Sequence, residues 1–89
     1  MLIEFDPAKN AANIEKHGIS LAAAEDFDLS AALITPDDRW DYGERRWQAI
    51  GRIGAHLYAL VFTMRGMRLR AISMRRASPR ERRDYAEGS

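Results

Sequence analysis

Seven arginines and no lysine stand between Arg68 and Tyr85, in the stretch RLRAISMRRASPRERRDY. A guanidinium is a planar fork that grips phosphate or carboxylate through two parallel hydrogen bonds, which an ammonium cannot do. Arg75 and Arg76 come just before Ser78-Pro79-Arg80-Glu81, a helix capping box with Pro at the first helical position. Arginines at a strand end that face a helix start form an anion site, because free backbone N–H groups add to their charge. Arg80 and Arg83 are one helical turn apart and extend the same side. Two other groups are suited to moving protons. His17 is one, since histidine is the side chain whose free form changes charge near neutrality; its plain alternative role is to close a helix beside Gly18. Glu44 and Arg46, two residues apart, share a strand face. They are either a general base beside a phosphate clamp or an ion pair worth little, and the spacing leaves both open. Tyr85 either stacks on a base or packs back on the sheet.

Other chemistries are missing from the sequence. There is no Cys, so no disulfide and no thiolate metal site. His17 and His56 have no partner at metal-ligand spacing, and His56, at the start of a strand, reads as a surface residue. Asp37, Asp38 and Asp41 cluster without the calcium-loop pattern, and read as a solvated loop. Phosphate-binding and dinucleotide-binding glycine fingerprints are absent, as is the strained-turn serine motif of esterases. No metal or cofactor is expected.

Several elements must position these groups. MLIEF alternates, with Met1, Ile3 and Phe5 on one face, and predicts a strand. Asp6-Pro7 starts a helix that runs to about His17, with Pro7, Ala11 and Ile14 as its apolar face and Gly18 as a left-handed C-cap. Ser20 caps a second, short helix with Leu21, Ala24 and Phe27 as its stripe. Strands follow over residues 31–35, 44–53, 56–64 and 67–75, the third apolar on both faces and therefore central. Strict alternation sets Arg68, Arg70 and Ile72 on one face of the last strand, and Leu69, Ala71, Ser73 and Arg75 on the other. A helix from Pro79 to about Glu87 closes the chain, and the final Glu87-Gly88-Ser89 frays. The result is a small α+β domain with helices packed on one antiparallel meander sheet.

The chain has 89 residues, enough for one domain over residues 1–89 and too few for two. A 46% hydrophobic content is ordinary for a folded globule of modest stability. The longest apolar run, LYALVF, is far too short for a membrane span, and the N-terminus lacks the basic region of a signal peptide. A cytoplasmic protein with no membrane partner is the expectation. The net charge of +1 hides an asymmetry: residues 1–44 carry ten acidic and three basic groups, residues 45–89 three acidic and eleven basic, all arginine. Such a division suggests a polyanion site or an acidic partner. Lys9 and Lys16 are the only lysines, so a general preference for Arg is at work, but preference does not explain clustering.

Three segments together resemble the BrnT family of toxins from bacterial type II toxin–antitoxin systems. FDPAKNAANIEKHGIS is similar to the family pattern F-x-W/F-D-P-x-K followed by N-x-x-K-H-G-I/V-S. YGERRWQAIG is similar to its G-E-x-R-[FW]-x-x-I-G strand, and RLRAISMRRASPRERRDY to its R-x-I-S-A-R-x-A-x-x-x-E-R-x-x-Y ending, with Met74 where the family usually has Ala. The resemblance implies a RelE-like ribonuclease fold: two N-terminal helices on a small antiparallel sheet, then a C-terminal helix. It implies metal-independent RNA cleavage that arrests translation and growth. It also implies neutralisation by a BrnA-type antitoxin in a two-plus-two complex, which reaches operator DNA only through the antitoxin. Carried onto this chain, it suggests Arg46, Arg75 and Arg76 as phosphate clamps and His17 or Glu44 as the acid–base group. Lys9, Lys16, Arg70, Ser73, Arg80 and Tyr85 would contact RNA, and Glu81 would serve the helix cap. The rival expectation is an inactive binding module that acts only in the antitoxin and operator complex.

Overall fold

The computed structural model describes residues 2–88; Met1 and Ser89, with the strand and fraying roles expected of them, lie outside these. Strand β1 (Leu2–Glu4) leads into α1 (Pro7–His17), whose Pro7 occupies the first turn. Gly18 ends the helix at φ 72°, a conformation that costs glycine nothing, and its N–H bonds to the Ile14 carbonyl. The second helix expected after Ser20 is instead two 3₁₀ segments, Leu21–Asp26 and Leu29–Ala31. Ser20 does cap the first, accepting from Ala22 N. Then come β2 (Leu33–Pro36), β3 (Trp47–Ile53), β4 (His56–Arg65), β5 (Arg68–Arg76) and α2 (Pro79–Gly88).

The strands form one sheet in the order β1-β5-β4-β3-β2. Four strands make the antiparallel meander, but β1 adds to β5 in parallel, so the sheet is mixed. One face carries the main core: Leu21 and Ala24 from the first 3₁₀ segment, and Phe27 just after it, pack on Ala49, Leu60, Phe62, Leu69, Ala71 and Met74. Leu21, Leu60, Leu69 and Met74 are fully buried, each stabilising the fold by about 1.5–3 kcal/mol. Gly51 is required here, since a Cβ would stand 2.7 Å from the Phe27 ring. On the other face α2 covers only one end, where Tyr85 and Leu33 pack on Ile50, Ala59 and Ala77.

Two sequence expectations fail in ways that shape this second face. The first concerns β5. Val61 pairs with Ser73 and Phe62 with Ala71, so Ile72 is an extra residue in a β-bulge. Leu69, Ala71 and Met74 therefore all reach the core, while Arg70, Ser73 and Arg75 share the opposite face. Strict alternation separates Arg70 from Ser73 and Arg75; the bulge reunites them. The second concerns α1. Pro7 and Ala11 are exposed and Ile14 is 46% exposed, so the expected apolar face looks outward. The helix docks through amides instead. Asn13, the buried residue of the helix, donates to the carbonyls of Ile19 and Met74 (2.9 Å each) and accepts from Met74 N (3.0 Å). Asn10 accepts from Leu21 N at 2.7 Å. Asn13 thus satisfies the backbone of β5 beyond the point where three-residue β1 stops.

Candidate functional site

Between α1 and the uncovered sheet face lies a groove of about 420 Å³. Cross-strand register builds its floor in two rows, Gln48–Val61–Ser73 and Ile50–Ala59–Arg75, with Ile50 turned under α2. Helical spacing builds one wall: Lys9, Asn13, Lys16 and His17 fall on successive turns of α1. Arg39, from the loop between β2 and β3, reaches in from another side. Lys9, Lys16, Arg39 and Arg75 are four cations, and among the described residues no carboxylate lines the groove. That lining favours an anion.

The two arginines are held from behind. Arg75 bonds Glu81 with both arms, at 2.7 and 2.9 Å, and Arg75 Nη1 also donates to the Arg76 carbonyl. Glu81 in turn accepts from Ser78 N, while Glu81 N donates to Ser78 Oγ, so the capping box is complete and is tied to the sheet. The Arg75 guanidinium and the Ser78 N–H hold the Glu81 carboxyl down at about 2, against the opposing effect of burial. Glu81 likewise raises the Arg75 pKa, with the charge of Arg39 acting in the opposite direction. Arg39 is gripped similarly by Asp37, at 2.8 and 3.0 Å. Its hydrogen bonds keep the Asp37 carboxyl below the usual range although Asp37 is buried. The expectation of a solvated acidic loop therefore fails at Asp37: its backbone bonds the Arg46 carbonyl and its side chain organises the loop. By contrast the side chains of Lys9, Lys16 and His17 make no hydrogen bond or ion pair among the described residues, which leaves their polar ends available to a ligand.

Of the residues singled out in the sequence, Lys9, Lys16, His17, Ser73 and Arg75 meet in this groove. Arg70 shares the face one row further on, opposite Thr63, and is paired with Glu4 at 2.6 Å. Glu44 lies outside the groove lining, shared at 3.4 Å between Arg46 and Arg65, and Arg46 stacks on Tyr42 with its guanidinium carbon 3.9 Å from the ring centre. Arg76 points to the core side of β5, beside Tyr58 and within 3.1 Å of His56 Nδ1, so Arg75 and Arg76 do not converge on one phosphate. Arg80 is exposed on α2, and Tyr85 is packed against the sheet. Sequence reasoning missed Arg39 and Gln48. Arg39 left one signal, a lone cation among three aspartates and two residues from its partner.

Among the described residues no three His, Asp or Glu side chains cluster as a metal site, and no helix is long and apolar enough to cross a membrane. Residues 5–81, the span that includes every groove residue, match the family model for "Ribonuclease toxin, BrnT, of type II toxin-antitoxin system". No curated protein matches the chain.

Proposed function

The chain belongs to the BrnT family of ribonuclease toxins of type II toxin–antitoxin systems, and we propose that it cuts RNA in the groove between α1 and the sheet, without a metal ion. The observation that carries this reading is the lining itself: four cations and His17, with no carboxylate among the described residues. RNA can supply its own nucleophile. The 2′-oxygen bonds to phosphorus as the bond from phosphorus to the 5′-oxygen breaks; one proton leaves the 2′-hydroxyl and one arrives on the 5′-oxygen. Such a reaction needs charge stabilisation at the crowded phosphorus and a group to exchange a proton. Arg75 and Arg39 grip the non-bridging oxygens, with Lys9 and Lys16 neutralising the flanking phosphates. His17 exchanges the proton. Glu44, outside the groove and engaged by two guanidiniums, is less suited to that role. Ser73 and Gln48 donate to the backbone from the floor.

Through this activity the toxin would arrest translation and growth. An antitoxin of the BrnA type would neutralise it in a two-plus-two complex, and operator DNA would be reached through the antitoxin alone. The sheet, helix and groove arrangement suits a RelE-like ribonuclease in which the phosphate grips and His17 act together.

The test uses purified protein and RNA in excess chelator. Wild type should cleave. His17→Gln should be slower by roughly 10²–10⁴-fold and Arg75→Ala by roughly 10²–10³-fold, with circular dichroism unchanged. A wild type that binds RNA but leaves it intact, with chelator and with magnesium alike, would establish the binding-only alternative instead.

A further inference from the structure

We propose that Trp40 is a stacking platform for one unpaired nucleobase, next to the phosphate held by Arg39. This rests on the groove being an RNA site and adds a subsite to it. Trp40 is 74% exposed, the largest exposed aromatic side chain of the chain, and its ring meets no other aromatic ring or cation among the described residues. The other tryptophan is spent on folding: Trp47 is half-buried and stacked on Phe62, with ring centres 5.9 Å apart.

The loop that displays Trp40 is built without it. Asp37 N bonds the Arg46 carbonyl at 2.8 Å, Arg39 and Tyr42 both converge on the Asp37 carboxylate, and Gly43 N bonds Asp41 Oδ1. Arg46 covers the face of Tyr42. These contacts hold the two ends of the loop, and nothing in the fold requires an indole at its tip. The residue before it, Arg39, lines the anion groove. Adjacent residues are about 3.8 Å apart at Cα, so a phosphate on Arg39 brings the base of the same or the next nucleotide within reach of position 40. Asp38 and Asp41 lie on either side of Trp40 in sequence and disfavour a phosphate there. What fits is the uncharged face of a base. A base inside a duplex has its faces covered by stacked neighbours, so the ligand is single-stranded.

The experiment uses a short, fully 2′-O-methylated oligonucleotide, which lacks the nucleophile and stays intact. Tryptophan emission and affinity are measured for wild type, Trp40→Ala, Trp40→Phe and Lys9→Ala, with Trp47 as the constant background. Wild-type emission should be quenched on binding. Trp40→Ala should lose that quenching and bind roughly tenfold more weakly, and Trp40→Phe should recover most of the affinity. An abasic position moved along the oligonucleotide should find one site that weakens wild type by the same factor and leaves Trp40→Ala unaffected. Equal binding by wild type and Trp40→Ala, or identical abasic profiles, would overturn the proposal; such a result with Lys9→Ala still weakened leaves the groove intact and points Trp40 toward a protein partner. No binding by folded wild type, or no effect of Lys9→Ala, overturns the groove reading and the platform with it.

Discussion

Replacing Glu81 by Gln separates the electrostatic part of the Arg75 anchor from its cap. The carboxyl is held at about 2, from an ordinary 4.5, chiefly by the Arg75 hydrogen bonds. Unscreened, that displacement corresponds to at most about 3–4 kcal/mol. Arg75 is 39% exposed, however, and water screens the pair, so roughly 1–2 kcal/mol is the reasoned value. The amide oxygen of Glu81→Gln would still accept from Ser78 N, so the helix start survives. At pH 7 the variant should lose about 1–2 kcal/mol, a fall in Tm of roughly 4–12 °C for a chain of this size. The pH dependence has a definite sign. A depressed carboxyl contributes its full stabilisation above pH 4.5 and loses it as pH falls through about 2, below which both folded and unfolded forms are protonated. The gap between wild type and variant in urea unfolding should therefore be constant from pH 7 to 5, narrow below 4.5 and close below about pH 2. A gap that persists unchanged below pH 2, or no gap at pH 7, would rule out this electrostatic role for Glu81.

Three other outcomes are expected. Asn13→Ala should cost roughly 2–4 kcal/mol in chemical unfolding, because it strips partners from the Ile19 carbonyl and from both backbone groups of Met74; a cost below about 0.5 kcal/mol would mean that water replaces the amide freely. Gly51→Ala should cost about 1–3 kcal/mol, since the new methyl meets Phe27 ring carbons at 2.7 and 2.9 Å and the Ala32 methyl at 3.1 Å; an unchanged Tm would show that the ring moves aside without loss. Removing Lys9 and Lys16 together should reduce the slope of log affinity against log salt for single-stranded RNA by about 1.4, and an unchanged slope would place the phosphates elsewhere.

What the sequence disclosed was what local chemistry decides. Asp6-Pro7 and Gly18 bound α1 as expected, because caps and left-handed glycines act within one turn. The Ser78–Glu81 box was legible for the same reason. The parallel pairing of β1 was not, since Ile3 meets Leu69 across the whole chain. Nor was the docking of α1: the rule that apolar faces turn inward was overridden by Asn13, whose partner on β5 is 61 residues away. The same long-range hook gathers the site, setting Lys9, Lys16 and His17 against Ser73 and Arg75. Arg39 escaped notice because its partner, Asp37, reads as one more solvated acid until the fold buries it.

The bulge at Ile72 has a consequence for how this segment tolerates change. Side-chain replacements at Ile72 leave the phase of β5 intact, and with it the division between Met74 in the core and Ser73 and Arg75 in the groove. Loss of the single codon for Ile72 leaves it intact as well: with the extra residue gone, Ala71, Ser73, Met74 and Arg75 follow one another in regular alternation, Ala71 and Met74 still toward Leu60, Ser73 and Arg75 still toward the groove. Loss of Ser73 along with it would not, because no extra residue is then left to absorb the shift: Met74 would turn outward and Arg75 toward Leu60, exchanging the hydrophobic filling for the cation that grips the ligand. The strand thus carries one residue of slack. Deletion of Ile72 alone should leave a folded protein, whereas deletion of Ile72 and Ser73 together should not.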